Sequence, residues 1–359
     1  MPIQSSMKYS NGQNEVLPMK YSKPYIFYPD NRALESAIVS SLGLLSEEVA
    51  ALANPDTTVT VADNFVHTRG NFEQQHFSTN VLEPLCDALE ALLTDEYRQQ
   101  EPLAWSETQN RLGNILGALG QQQRDAALYE KAIECFNNAL EELSQQESPL
   151  DWAATQANLG TALQALGRQE SEAKVLNKSI DAYTNALLEW SRKETPEEWA
   201  LTMHRLGATF HEHGKLLKGN RQFQKAVVSY KNALAEFDAD NHALELAATH
   251  NNRGAVLHNL AESEENPERM EEAIRAYETA LTVCMEQQLP IHHAVLCRVN
   301  KFSAKSVIAE LTKDTTLADE VADEFEIILE CFPHALQPLC AKYCEVRMSK
   351  MREMAEELV

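Results

Sequence analysis

Apolar residues recur along this chain in two alternating helical patterns, and the pair of patterns repeats with a fixed step. Four segments align without a gap: WSETQNRLG from Trp105, WAATQANLG from Trp152, WALTMHRLG from Trp199 and LAATHNNRG from Leu246. Their threonines are Thr108, Thr155, Thr202 and Thr249, their glycines Gly113, Gly160, Gly207 and Gly254, each 47 residues after the last. A second block keeps the step: Ile133, Ile180, Val227 and Ile274, then Phe136, Tyr183, Tyr230 and Tyr277, then Ala139, Ala186, Ala233 and Ala280. In the first block Leu112, Leu116 and Leu119 make an i, i+4, i+7 stripe, and in the second Ile133, Phe136, Ala139, Leu140 and Leu143 make a broader apolar face. Each unit therefore reads as two helices. Small residues in the Gly and Ala columns let the two backbones approach, and the ring beside them fills the remaining space. One pair cannot bury both of its faces, so such units stack as arrays.

The fold class expected is all-α, an α-solenoid: a superhelix of antiparallel helix pairs. Residues 102–289 hold four full units. Upstream, Cys86, Leu89, Leu92 and Leu93 keep the register of Ile133, Phe136, Ala139 and Leu140, which predicts a lone helix over 71–101. Downstream, 290–336 is a degenerate fifth unit in which Lys301 replaces the glycine and the second helix (Ala322, Phe325, Ile328, Leu329) slips by one residue. A capping helix over 337–359 is expected to close that end. Residues 1–30 read as an irregular N-terminal tail, and 31–70 as a small helical or irregular region.

The order Leu112, Gly113, Leu116, Ala132, Phe136, Ala139 resembles the tetratricopeptide (TPR) signature. The unit here is longer than the usual TPR repeat and is similar to the long-repeat, bacterial-type subgroup. The resemblance implies a concave groove lined by first-helix columns: Asn110, Ala157, His204, Asn251; Asn114, Thr161, Ala208, Ala255; and Gly117, Gln164, His211, His258. Some TPR domains grip a terminal carboxylate with Lys and Asn. Asn114, Asn158 and Arg205 stand at matching positions, but Asn110 and Leu201 occupy those of the two lysines, so half of that clamp is missing. The groove residues expected to meet a peptide or partner are Asn110, Asn114, Asn158, Gln164, His204, Arg205, His211, Asn251, Asn252 and His258.

Charge narrows the partners. With 54 acids against 31 bases the 359-residue chain carries −23, which repels nucleic-acid backbones and anionic membrane surfaces and favours basic proteins or peptides. Charge also varies between turns. Gly214–Lys225 holds Lys215, Lys218, Arg221 and Lys225 with no acid, whereas Ala261–Glu272 holds six glutamates against Arg269. The two turns are expected to face and neutralise each other; the alternative is a dipolar patch for a partner. Phosphate-loop, nucleophile-elbow, dinucleotide and zincin motifs are all absent, so no enzyme and no cofactor is expected. The seven cysteines show no disulfide-like spacing, and no long apolar stretch occurs, which suggests a reduced, cytoplasmic protein. Cys331, His334, Cys340 and Cys344 have a spacing that could chelate a metal, with a helical-core role as the simpler reading.

The function expected is a non-enzymatic adaptor or scaffold that holds a protein segment in the concave groove. Alternatives are a ligand-responsive sensor, a metal or redox protein using the C-terminal Cys/His cluster, and a self-associating module.

Overall fold

The computed structural model describes residues 72–336 and 338–356. The expectations for 1–30 and 31–70 lie outside the described residues. Among those described there are thirteen α-helices, one short 3-10 turn and no strand. In chain order they are α1 (Phe72–Leu92), α2 (Asp95–Gln100), α3 (Pro102–Gln123), α4 (Ala126–Glu142), α5 (Pro149–Gln169), α6 (Ala173–Glu189) and α7 (Pro196–Leu217). Then follow α8 (Asn220–Ala233), α9 (Ala243–Glu264), α10 (Pro267–Glu286), α11 (Ile291–Thr312), α12 (Thr315–Cys331) and α13 (Pro338–Glu356). Each helix from α3 onward packs on the next. The first helices α3, α5, α7, α9 and α11 also touch one another in series, while each second helix packs chiefly on the first helices at either side. The architecture is an all-α solenoid of antiparallel hairpins.

Local chemistry sets the helix ends. Proline stands first in α3, α5, α7, α10 and α13, where its missing N–H is one of the donors a helix start leaves unpaired anyway. The turn inside each hairpin is built the same way five times. Arg124, Ser171, Lys218, Glu265 and Lys313 adopt left-handed backbone with φ of 55°, 57°, 51°, 50° and 56°. The next residue's N–H then reaches back to a carbonyl five residues earlier: Asp125 to Gly120 at 3.1 Å, Glu172 to Gly167 at 2.9 Å, Asn266 to Ala261 at 2.9 Å. This closes the helix with two residues in the turn, or three after α5. Lys313 comes one residue later than the column of the first four, and the second helix of the degenerate unit starts correspondingly late.

Residues 71–101, expected as one helix, carry two. The chain leaves α1 after Leu92, and Thr94 restarts a helix by accepting the Tyr97 N–H on its hydroxyl at 3.1 Å, with Asp95 and Glu96 in the first turn. The short α2 positions Arg98, whose guanidinium lies 4.5 Å from the Trp105 ring centroid and bonds Glu141 and Glu142 of the next turn. At the other end, Val299, Phe302, Phe325 and Ile328 pack against Cys340, Cys344 and Met351 of α13.

Inside a hairpin, the Gly column lies directly beneath an aromatic ring. A Cβ on Gly113 would stand 2.7 Å from Phe136; on Gly160, 2.8 Å from Tyr183; on Gly207, 2.9 Å from Tyr230; on Gly254, 2.7 Å from Tyr277. A second small-residue column two turns on repeats the device, with Gly214 beneath Phe223 at 2.7 Å and Gly167 beneath Leu176 at 2.9 Å. Tyr183, Tyr230 and Tyr277 are wholly buried, so the rings have nowhere to retreat. Gly117, on the same helix as Gly113, has nothing within 4 Å of its added Cβ. Gly207→Ala should therefore cost about 1–3 kcal/mol by overpacking, whereas Gly117→Ala should stabilise by up to ~1 kcal/mol through helix propensity. Denaturant titration of the two variants checks this, and equal effects would contradict the packing described.

Candidate interaction surface

The polar first-helix residues lie where successive hairpins meet, and most bond to the neighbouring hairpin. Each threonine of the Thr column donates back to its own helix: Thr108 to the Ala104 carbonyl, Thr155 to Asp151, Thr202 to Glu198 and Thr249 to Glu245, at 2.6–2.8 Å. The hydroxyl oxygen is left as an acceptor facing the preceding unit. Asn110 donates to Thr155, and Asn158 donates to Asn110 Oδ1 at 3.3 Å. His204 Nδ1 lies 2.7 Å from Thr249 Oγ1; because that hydroxyl already donates to Glu245, Nδ1 carries the proton in the neutral ring. Between the second and third units Ala157 supplies no such rung, and Arg205 reaches Thr161 at 3.2 Å instead. Asn300 donates to Asn251 at 2.8 Å across the next junction, and Asn251 donates to Asn252 at 3.2 Å.

The third column sits deeper. Tyr183 donates to Gln164 Oε1 at 3.2 Å and its hydroxyl also meets Thr161 at 3.1 Å. The His211 ring packs edge-on against Phe223 at 5.7 Å, and its Nε2 lies 2.6 Å from the Asn259 amide nitrogen. His258 packs edge-on against Tyr277 at 6.4 Å and lies 3.6 Å from Glu262. Burial of His211, followed by the charges of Lys215 and His258, holds its pKa well below 6.5. A protonated ring would also aim an N–H at the Asn259 donor.

These positions divide the ten expected residues in two. Asn110, Asn114, Asn158 and Arg205 remain half-buried, on α3, α5 and α7. Gln164, His204, His211, Asn251, Asn252 and His258 are buried, the last four at 0% exposure. The expectation of a groove that meets its partner through all ten is corrected on this point: Gln164, His204, His211, Asn251, Asn252 and His258 are interior in this conformation. Leu201, at one of the missing clamp lysines, packs with Ala200, Ala233 and Phe237. The turns between hairpins carry a second recurring tie that the sequence reading missed: Arg98 to Glu142, Gln145 to Glu189 and Arg192 to Glu236. Its signal was a polar or cationic side chain facing an acid at a constant offset of 44.

The C-terminal cysteines do not converge on a metal site. Cys340 and Cys344 are wholly buried in the apolar cluster under α13, whereas Cys331 and His334 are exposed. No group of three or more His, Cys, Asp or Glu side chains among the described residues is placed to hold a metal ion. No described helix is long and apolar enough to cross a membrane.

Several buried imidazoles make folding sensitive to acid. Burial lowers His250 to about 4 and, with His292 beside it, His293 to about 3; it also lowers His213 and His292. The unfolded chain takes up these protons below 6.5 while the folded chain refuses them, so stability is full above that pH and is lost as pH falls through it toward 4. The melting temperature should be level above about pH 7.5 and drop steeply below about pH 6, with His293→Gln reducing the slope. A level profile down to about pH 5 would contradict the burial of these rings.

No family model matches the chain, and no curated protein matches it. Among solved structures it matches the crystal structure of the C-terminal part of a TPR repeat-containing protein from Cytophaga hutchinsonii, at 13% identity and a TM-score of 0.31. That match covers 76% of this chain and 98% of the other.

Proposed function

We propose that the protein is a non-enzymatic adaptor or scaffold that holds an extended segment of another protein against the first-helix face of its solenoid. The observation that carries the reading is the row of half-buried amide and guanidinium side chains on three successive first helices: Asn110 and Asn114 on α3, Asn158 on α5 and Arg205 on α7. Amide side chains offer a donor and an acceptor each, which matches the alternating groups of a peptide main chain. Arg205 adds one cation; with Asn110 and Leu201 in the lysine positions, capture of a terminal carboxylate is not the basis of recognition. The buried members Gln164, His204, His211, Asn251, Asn252 and His258 act indirectly in this reading, by fixing the pitch at which the accessible row is presented. Preorganisation of that kind lowers the entropy lost on binding.

On this reading the chain is a long-repeat, bacterial-type TPR protein of the cytoplasm. Its solenoid spans 71–336, and 337–359 caps it. The net charge of −23 gives basic proteins the faster encounter, so the bound segment belongs to a protein that is basic around it.

Peptide display against the full chain, followed by fluorescence anisotropy on the enriched peptides, tests this. The triple variant Asn114→Ala/Asn158→Ala/Arg205→Ala should bind the selected peptides at least about tenfold more weakly, equivalent to ~1.4 kcal/mol, while melting as a folded protein. Unchanged affinity in a folded variant would reject the first-helix face as the binding surface.

A further inference from the structure

The two oppositely charged turns do not neutralise each other. They are neighbours, since Ser263 of the acidic turn donates to Asn220 of the basic one at 2.9 Å. Even so, Lys215 pairs with Glu212 of its own helix at 2.7 Å, and Arg269 pairs with Glu264 at 2.8 Å. Lys225 lies over the Phe210 ring at 5.0 Å. Lys218, Arg221 and Lys225 are exposed and have no carboxylate within ion-pair distance; Glu265, Glu268 and Glu272 are exposed and have no cation. The reason is geometric. Glu265, Glu268 and Glu272 are the same three positions as Lys218, Arg221 and Lys225, one unit later. Side chains at equivalent positions of stacked hairpins project in parallel, so the two rows stand side by side without meeting.

A cationic row beside an anionic row of equal length is complementary to itself. The geometry points to a second copy of this chain as the occupant, docked across a two-fold axis that lies in the docking face, parallel to and midway between α8 and α10. Alternate helices of a hairpin stack run in the same direction, so a 180° rotation about that axis lays α10 of one copy parallel over α8 of the other. Lys218 then meets Glu265, Arg221 meets Glu268 and Lys225 meets Glu272, and the set occurs twice because the interface is isologous. Leu217 and Val228, 55% and 58% exposed, flank the basic row and add apolar surface. A long polyanion such as nucleic acid fits poorly, because the basic row is bordered by the acidic one and the chain carries −23 overall. The same net charge opposes association at long range, but at about 0.1 M salt it is screened beyond ~10 Å, whereas pairs in contact are screened much less.

The full chain in an analytical ultracentrifuge tests the pairing. Dimer should form with concentration at about 0.1 M salt and dissociate toward monomer at about 1 M. The variant Lys218→Glu/Arg221→Glu/Lys225→Glu has two acidic rows, and Glu265→Lys/Glu268→Lys/Glu272→Lys has two basic rows. Each alone should need at least about tenfold more protein to dimerise, and an equimolar mixture should recover the dimer. Should a triple variant fail to fold, Arg221→Glu and Glu268→Lys, which meet in the middle of each row, replace it in the same mixing design. A wild-type chain monomeric at every concentration in low salt, folded variants that dimerise like wild type, or a mixture that stays monomeric would each overturn the proposal.

Discussion

In the four full hairpins the distance between the two helices is set by a glycine under an aromatic ring, and the rest of the structure follows from that distance. Gly160 against Tyr183 and Gly207 against Tyr230 leave no room for a methyl group. The ring, buried on all sides, carries the hydroxyl of Tyr183 to Gln164 and Thr161, and sets Tyr230 and Tyr277 edge-on to His204 and His258. One contact thus fixes hairpin geometry and aligns the polar layer of the first helices. Close packing makes such a contact intolerant of small changes in volume.

That polar layer also ties the units to one another. At its core it is a spine in which an amide or imidazole of one unit bonds to a hydroxyl or amide of the next, as Asn110 does with Thr155, His204 with Thr249 and Asn251 with Asn300. Buried polar groups are costly unless paired, so a ladder of this kind specifies which surfaces of successive hairpins meet. Beside it on α3, α5 and α7, Asn110, Asn114, Asn158 and Arg205 stay half-buried. Under the proposed function, stacking and recognition draw on adjacent positions of one helix face.

The hairpins were legible in the sequence because their packing demands particular residues at particular spacings: nothing larger than Gly113 fits beneath Phe136, and Ala139 must stay small to be wholly buried. The turn that joins them was less visible. Left-handed backbone usually announces itself with glycine, yet here Arg124, Ser171, Lys218 and Glu265 adopt it, and only the carbonyl contacts of the following residue reveal the motif. The break at Thr94 was hidden by an apolar register that runs through Leu92 and Leu93. As for the site, family geometry assigned His204, His211 and His258 to a concave face, but a single unit's pattern does not show how closely the next unit covers it. The missed signal lay between units: a polar residue at one position and a threonine 45 residues later, as in Asn110 with Thr155 and His204 with Thr249.

The central claim is that stacking draws Gln164, His204, His211, Asn251, Asn252 and His258 into the interior and leaves Asn110, Asn114, Asn158 and Arg205 partly accessible. Residue-resolved modification of histidines by diethyl pyrocarbonate, read by mass spectrometry on the folded chain, tests it most directly. His334, exposed on the short turn before α13, should react rapidly, while His204, His211 and His258 stay protected until the chain unfolds. Modification of those three at the rate of His334 would show the column to be open, and the spine described here would not exist.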